Sequence, residues 1–412
     1  MTRPVLVALV TAWGFVAFPA HAAKSPYAAH AKCDGLPRIE VATPAGLCVG
    51  LVASGFKFPR GILPLDNGDL IVADMAGWAK GKGSLWLLER KNSYKRRLLF
   101  DKLDRPHAVV LGPDGRVYVG VVGGVFRFDP ANRQAEREDI IGGKSDQERL
   151  PDSGRHPLVS LVFDRAGDLY VNVGSASDNC EDAKGQPPAP DKPCVEAEGD
   201  LPRGSLRRYQ MRWPEGRVLG WQTYAKGLRN SMALAVHPKS GLLLQGENGR
   251  DNIHRHIPGM ESDERFPPDE LNVVERGAHY GWPYCYGEGM SSPEYPALDC
   301  SRFHSPLHLL PAHAAPLGMA WYFGKLLPSE YHGALMVGYH RYRNAGHRLV
   351  AFRVDQRGLP QGDPVELISD WEAKEGSPMG APTDVKVGAD GAVYVTEDRN
   401  GTVLRLSAER AQ

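Results

Sequence analysis

Residues 156–175, HPLVSLVFDRAGDLYVNVGS, contain the structural unit that the rest of the chain repeats. The apolar run Leu161–Phe163 precedes a turn that contains Gly167, and the alternating segment Leu169–Val173 follows that turn. Aromatic and β-branched residues on both sides of a glycine-containing turn are typical of a β-hairpin. The unit also places His156 at the start of its first strand and Ser175 just after its second.

The same pattern, a turn glycine followed by a short strand, recurs along the whole chain. The six glycines are Gly68, Gly115, Gly167, Gly241, Gly333 and Gly391. One such hairpin per blade predicts an all-β fold, a six-bladed β-propeller with four-stranded antiparallel blades. The intervals after Gly167 and Gly241 are the longest, which predicts loops inserted into the scaffold, where binding sites are usually built.

The N-terminal residues predict export from the cytoplasm. Arg3 is followed by an apolar, uncharged run over residues 5–18 and by the small-x-small sequence Ala20-His21-Ala22. This pattern predicts a signal peptide at residues 1–22, which is too short to be a stable membrane span. We then expect an N-terminal extension at residues 23–57 and one propeller domain at residues 58–408. The mature protein is predicted to be periplasmic or secreted and to lack a membrane span.

Charge and cysteine content restrict the partners further. Lys+Arg and Asp+Glu are equal at 49 each, so no global field favours binding to nucleic acid or to an anionic membrane. The six cysteines form three pairs that are close in sequence, Cys33 with Cys48, Cys180 with Cys194 and Cys285 with Cys300. An even number of cysteines in an exported chain favours local disulfide bonds, and the alternative of a metal site lacks any CxxC pair.

Polar patches beside the repeats contain the candidate functional groups. His156 could act as a general base because the pKa of imidazole lies near neutrality. The alternative is a structural histidine bonded to a backbone carbonyl, and His107 at the equivalent place in the preceding blade is a rival base. Arg229 and Asn230 form either a surface turn or a bidentate carboxylate donor beside a neutral donor and acceptor.

The segment QGENGRD at residues 245–251 is rich in glycine and acidic residues, and PDELN at 268–272 and HYGWPY at 279–284 follow it. Exposed backbone carbonyls and nearby carboxylates suit a hard cation such as calcium. The alternative is an acidic, solvated loop. The ligand spacing of an EF-hand is absent.

Five motifs occur in a fixed order along the chain. They are His156 with LVFDRAGDLYVNVGS, then GLRNSMALAVHP, GENGRD, DELNVVERGAHYGWPYCYG and GAPTDVKVGADGAVYVTEDRNGTVLRL. Together they resemble the pyrroloquinoline quinone (PQQ)-dependent soluble sugar dehydrogenases, the glucose/sorbosone dehydrogenase family, from about residue 58 to residue 406. The loops that carry cysteines are more similar to the sorbosone-type branch. The resemblance implies a PQQ- and calcium-dependent oxidoreductase that acts on an aldose or sorbosone-type sugar and uses an unidentified electron acceptor.

The resemblance also implies a role for each residue that matches a family motif. His156 is expected to be the general base that removes the proton from the anomeric hydroxyl while hydride passes to the quinone. The expected cofactor-binding residues are Arg229, Asn230, Tyr280, Arg341 and Arg343. The expected calcium-associated residues are Glu247, Gly249 and Arg250, the last two through their backbone carbonyls.

Three positions depart from the pattern of the family's glucose-type members. Ser175 replaces an aspartate that partners the histidine, Met232 replaces a polar residue, and Ala381 replaces an arginine. These changes leave open a non-catalytic binding propeller. A second alternative is a calcium-dependent propeller lactonase, in which side-chain oxygens would converge on one axial metal, for instance those of Asn230, Asp384 and Glu247.

Overall fold

The computed structural model describes residues 27, 31–132, 134–142, 149–182, 184–340, 345–371 and 379–409. Within these ranges the chain forms six four-stranded antiparallel sheets. The first strand of each sheet contacts the first strands of the two neighbouring sheets, and the sixth sheet contacts the first. The sheets therefore form a closed ring around a central axis, and the predicted six-bladed β-propeller is confirmed.

The first three blades follow chain order from the innermost strand outwards. Blade one contains Pro59–Pro64, Leu70–Asp74, Gly83–Glu89 and Lys95–Leu103. Blade two contains Val109–Leu111, Val117–Val121, Gly124–Phe128 and Glu138–Ile141. Blade three contains Leu161–Phe163, Leu169–Val173, Ser205–Arg212 and Arg217–Lys226.

The other three blades include the strand that closes the ring. Blade four contains Ser231–Val236, Leu243–Glu247, Asp269–Val273 and His308–Leu310. Blade five contains Pro316–Trp321, Leu335–Tyr339, Arg348–Val354 and Pro360–Ile368. Blade six contains Pro382–Val387, Val393–Glu397, Thr402–Ala408 and, as its outermost strand, Leu47–Ala53.

The described part of the chain also contains short elements outside the six blades. Two small hairpins are formed by Lys32–Cys33 with Leu36–Pro37 and by Cys285–Tyr286 with Met290–Ser291. One turn of α-helix spans Val195–Glu198, and 3₁₀ turns span Arg90–Asn92, Ile253–His256, Cys300–Arg302 and Ser329–Tyr331. Among the described residues, no helix is long and apolar enough to cross a membrane.

Blade stacking explains why the strands are apolar on both faces. Each second strand lies in a sheet that packs between two neighbours, so all five residues of Leu70–Asp74 and of Val117–Val121 are buried. Burying a valine or leucine side chain stabilises the fold by about 1.5–3 kcal/mol relative to leaving it exposed. The turn glycines that precede these strands have positive φ values, for example +83° at Gly68 and +73° at Gly115, a conformation that glycine adopts without strain.

The sixth blade contains strands from two segments that are far apart in sequence. Leu47–Ala53 pairs antiparallel with Thr402–Ala408, with Val49 opposite Leu406. The segment that we predicted as an N-terminal extension therefore contributes a strand to the ring.

The three predicted disulfide bonds are confirmed. They join Cys33 to Cys48, Cys180 to Cys194 and Cys285 to Cys300, and no cysteine is free. The second and third bonds lie in the long inserted loops of blades three and four, so these loops are cross-linked on the rigid scaffold.

Candidate active site

A cavity of about 390 Å³ lies on the propeller axis, and we call it the axial cavity. Its walls come from the beginnings of blades one, three, four and five and from a loop of blade six. Four of the predicted site residues line it together, namely His156, Arg229, Asn230 and Gly249. Residues that are distant in sequence thus share one chamber.

His156 is held in a defined orientation by Ser175. Its backbone N–H donates to the Ser175 carbonyl at 3.1 Å, and its Nδ1 lies 2.8 Å from Ser175 Oγ. The Ser175 hydroxyl donates its only proton to the Ser177 carbonyl at 2.7 Å, so Oγ must accept from Nδ1–H. This network assigns the neutral Nδ1–H tautomer and leaves a lone pair on Nε2. Among the described residues, Nε2 has no hydrogen-bond partner.

The surroundings of His156 keep its imidazole neutral. Burial lowers the pKa of His156 well below its ordinary value, and the positive charges of Arg229, Arg155 and Arg203 lower that pKa further. A low dielectric and nearby cations both disfavour the imidazolium. At neutral pH the His156 imidazole is therefore neutral, and its Nε2 lone pair is unprotonated.

Arg229 is a buried cation whose five N–H groups all face oxygen atoms. Nε donates to the Asp178 carbonyl at 3.0 Å, and Nη1 donates to the carbonyls of Asn248 at 2.9 Å and Gly249 at 2.8 Å. Nη2 pairs with the Asp178 carboxylate and, at 3.3 Å, with Asp251. Burial acts to lower the pKa of Arg229, but Asp178 and Asp251 raise it above its ordinary value. Arg229 therefore stays charged and joins three loops at the cavity wall.

Asn230 and Glu247 are adjacent but differ in access to the axial cavity. Asn230 lines the cavity, and its buried Oδ1 has no hydrogen-bond donor among the described residues. The Asn230 backbone N–H donates to Glu247 Oε1 at 3.1 Å. Glu247 is buried behind the wall, where burial and then the charge of Glu270 raise its pKa to about 8. The orphan oxygen of Asn230 is thus a site for a donor on a bound ligand.

The other predicted residues lie elsewhere. The Arg250 guanidinium binds both oxygens of Glu294, at 2.7 and 3.1 Å, in a buried ion pair that is not part of the cavity wall. Tyr280 packs in the core between blades three and four, and its hydroxyl donates to the Val273 carbonyl at 2.5 Å. The structure does not bring Tyr280 to the axial cavity. Arg341 and Arg343 lie outside the described residues.

The rival base His107 and the acid Asp384 occupy a different space. Both line a separate cavity of only about 20 Å³, which is too small for a sugar. Arg60 Nη2 donates to His107 Nε2 at 3.2 Å, and burial followed by the Arg60 charge lowers the pKa of His107. Asp384 binds Lys386 at 2.6 Å. Asn230, Asp384 and Glu247 therefore do not line a common cavity, so the convergent metal site of the lactonase alternative is not found among the described residues.

Several cavity residues were missed by the sequence analysis. Arg60, Arg155 and Arg399 line the cavity and add positive charge. His340 lines it too, with Nε2 3.0 Å from Asp398 Oδ1, and Arg60 Nη1 pairs with the same carboxylate at 2.7 Å. Three of them had a local signal, because Arg155 precedes His156, His340 precedes Arg341 and Arg399 lies in the last of the five motifs. Arg60 comes from blade one and meets the others only in three dimensions.

The three departures from the family pattern have definite places. Met232 lines the axial cavity and adds to an apolar surface formed with Phe58, Leu158 and Leu317. Ala381 is buried, and its N–H faces Glu397 Oε1 at 3.3 Å. Ser175 supplies the hydroxyl that orients His156. None of these three side chains blocks the axial cavity.

Residues 126–405 match the family model described as Glucose / Sorbosone dehydrogenase. The chain belongs to the glucose/sorbosone dehydrogenase family. This confirms the resemblance inferred from the five motifs, whereas the assignment to a sorbosone-type branch stays a prediction.

Relatives of this glucose/sorbosone dehydrogenase family member include characterised and uncharacterised proteins. It is 30% identical to the uncharacterized protein slr1608 of Synechocystis sp., over 87% of this chain and 85% of that protein. It is 22% identical to the pyrroloquinoline quinone-dependent pyranose dehydrogenase of Coprinopsis cinerea, over 90% of this chain and 55% of that protein. It is 28% identical to an uncharacterized protein of Borreliella burgdorferi, over 45% of this chain and 48% of that protein. The chain thus spans about half the length of the last two.

Solved structures share the fold of this family member. The iodide structure of the Trichoderma reesei carbohydrate-active enzyme of family AA12 superposes with a TM-score of 0.70 at 18% identity, over 91% of this chain and 99% of that chain. The holo form of the pyranose dehydrogenase PQQ domain from Coprinopsis cinerea gives 0.68 at 20% identity, over 90% and 98%. At these identities the similarity shows a common propeller.

Proposed function

We propose that this chain is an exported, PQQ- and calcium-dependent dehydrogenase that oxidises an aldose or sorbosone-type sugar, with His156 as the general base. The observation that carries the proposal is the joint placement of His156, Arg229, Asn230 and Gly249 around one axial cavity. Family membership and the activity named for the Coprinopsis cinerea relative support the same reaction class.

The residues of the axial cavity fit PQQ chemically. PQQ carries several carboxylates, and the exposed guanidinium groups of Arg155 and Arg399 on the cavity wall can pair with them, while the ion-paired Arg60 adds positive charge nearby. The orphan Oδ1 of Asn230 calls for a donor from a ligand. The apolar surface around Met232 can cover a flat ring system. When bound, PQQ would supply the two-electron acceptor that takes hydride from the sugar.

His156 would do the proton chemistry in this reaction. Its Nε2 lone pair can accept the proton of the sugar hydroxyl while Ser175 holds Nδ1–H. General-base catalysis of this kind typically contributes 10²–10⁴-fold. Because Ser175 is neutral, it orients the ring without stabilising the imidazolium by charge. Arg229 disfavours that imidazolium, which favours its rapid deprotonation.

The calcium site in this proposal depends on oxygen donors in one wall of the axial cavity. Gly249, Asp251 and Asp269 all line the axial cavity, and Asp269 Oδ1 accepts from the Gly249 N–H at 2.7 Å, so this carboxylate lies beside Gly249. Hard oxygen donors of this kind are what calcium prefers. The Gly249 carbonyl already accepts from Arg229, so a cation would use its second lone pair. The Arg250 carbonyl, next in sequence, is the other expected ligand.

Export is supported by the cross-links. The predicted signal peptide lies outside the described residues. Three disulfide bonds in a chain without free cysteines are typical of an oxidising compartment.

Reconstitution tests the proposed activity. Purified apoprotein is incubated with PQQ and calcium chloride, and a panel of aldoses is assayed with an artificial electron acceptor dye. We expect dye reduction with at least one sugar, and His156→Gln should lower kcat by about 10²–10⁴-fold while PQQ binding, followed by absorbance, is retained. Bound PQQ without dye reduction by any sugar would refute the dehydrogenase.

A further inference from the structure

A second cavity, of about 560 Å³, lies between the two cross-linked loops. Its walls come from residues 190–198 and 279–303, together with Lys226 at the end of the outermost strand of blade three. We call it the lateral pocket. Of the described residues that line it, none lines the axial cavity. The lateral pocket is therefore a separate space.

Covalent and polar links hold the walls of the lateral pocket. Cys180–Cys194 closes the first loop and Cys285–Cys300 closes the second. Tyr284 joins them, because its hydroxyl accepts from the Cys194 N–H at 2.9 Å. A preformed pocket loses little conformational entropy when a ligand binds.

An ordered pair of opposite charges faces the lateral pocket. Glu198 Oε2 pairs with the Lys226 ammonium, and Oε1 lies 3.2 Å from His279 Nε2. His279 Nδ1 accepts from the Gly281 N–H at 3.1 Å, so Nε2 carries the proton that Glu198 accepts. The hydrogen bond from His279 and the Lys226 partner lower the pKa of Glu198 to about 2. The side chains of Glu198 and Lys226 remain 27% and 35% exposed, so both can also reach a ligand.

Aromatic rings form the adjoining wall. The rings of Tyr284 and Phe303 are parallel to within 2°, with centroids 5.9 Å apart. The His279 ring lies 4.6 Å from that of Phe303. Phe303 is half-buried, so part of this flat surface is open to the pocket.

We propose that the lateral pocket binds a pyranose unit of a saccharide. The C–H face of a pyranose packs on an aromatic ring, while neighbouring hydroxyls donate to a carboxylate and accept from an ammonium. Phe303, Glu198 and Lys226 offer these three partners side by side. A wholly apolar ligand would instead remove water from the ion pair and would provide no hydrogen bonds in place of those that the water made. This site uses no residue of the proposed dehydrogenase chemistry and needs no cofactor.

Calorimetric titration of the cofactor-free protein with D-glucose, maltose and cellobiose tests the proposal. We expect saturable binding of at least one of these sugars. Phe303→Ala and Glu198→Gln should each raise its Kd at least tenfold, and Lys226→Met should do the same. The matched controls Phe323→Ala and Glu366→Gln change a half-buried phenylalanine and a surface ion-paired glutamate elsewhere, and should leave Kd unchanged.

The two proposals fail separately. His156→Ala removes the expected base in the axial cavity and should not alter binding in the lateral pocket. Thermal unfolding of each variant verifies that it is folded. An absence of saturable binding in the wild type, or equal Kd values in the wild type and in all three pocket variants, overturns the lateral site. Binding without any sugar oxidation leaves this site standing and removes only the dehydrogenase.

Discussion

At the scale of single residues, the hydrogen bond from His156 Nδ1–H to Ser175 fixes which ring nitrogen is basic. Ser175→Ala removes the acceptor, so the ring can adopt the wrong tautomer or rotate. We expect kcat to fall about tenfold or more, which corresponds to at least about 1.4 kcal/mol in the barrier. Steady-state kinetics of the reconstituted enzyme measure this. Ser175→Thr keeps the hydroxyl and should retain most of the activity; equal losses in both variants would argue against the orienting role.

The pH dependence of kcat/KM tests the environment of His156. Burial and nearby arginines lower the pKa of His156 below about 6.5, the ordinary value for histidine. The base therefore stays neutral when the pH falls below that value, and kcat/KM should be retained there. Activity is lost only when pH falls through the lowered pKa. Ser175→Asp adds a negative charge that favours the imidazolium, so we expect the acidic limb of the kcat/KM profile to move to higher pH by about one unit or more. An unmoved limb would show that another group titrates.

At the scale of elements, the loop between the second and third strands of blade one carries an unusually exposed tryptophan. Trp78 is 56% exposed and lines the mouth of the axial cavity. Asp74 anchors the base of this loop by accepting from the N–H groups of Phe58 at 2.8 Å and Ala76 at 3.0 Å. A large aromatic ring held at a cavity mouth is a platform on which a sugar can pack.

We expect Trp78→Ala to raise the KM for the sugar about five- to tenfold while kcat and PQQ affinity change little, because an indole ring provides no acid or base for the proton transfer. That loss corresponds to about 1–1.4 kcal/mol, in the range of one aromatic contact. Trp78→Phe should recover part of it. Leu219→Ala, an exposed apolar residue of blade three, is the control. A fall in kcat at constant KM would contradict the platform.

Also at this scale, local patterns predicted some elements and missed others. The hairpins were predictable because the turn glycine and both strands are adjacent in sequence, as at Gly167. The closing strand Leu47–Ala53 was not, because its partner Thr402–Ala408 is at the other end of the chain and no local signal reports such a pairing. Tyr280 was expected in the cavity from its motif, but the path of its loop turns the ring into the core between blades three and four.

At the scale of the whole molecule, the axial cavity exists only when the ring is closed, because its walls come from five blades. His156, Arg229 and Gly249 could be predicted to meet because their motifs match an ordered family pattern. Arg60, His340 and Asp398 could not, since their ion pairs join blades one, five and six and depend on the closed geometry. A mutation that destabilises the closing strand should therefore disrupt the axial cavity as well as the sixth blade.

This coupling gives a prediction for the closing strand. Leu47 is 1% exposed there and packs in the core of the fifth and sixth blades. Leu47→Ala should lower the free energy of unfolding by about 2–5 kcal/mol, because it leaves a cavity in that core. Leu98, 45% exposed in the outermost strand of blade one, is the matched control, and Leu98→Ala should change stability by less than about 0.5 kcal/mol.

Urea unfolding followed by intrinsic fluorescence, and in parallel by loss of PQQ binding, measures both effects. In Leu47→Ala the two transitions should shift to lower urea together, since opening the sixth blade breaks the ring that forms the cavity walls. A coincident shift supports one cooperative unit closed by its N-terminal strand. If PQQ binding instead survived to the wild-type midpoint while the fluorescence transition moved, the cavity would not depend on ring closure, and blade six would be an independent unit.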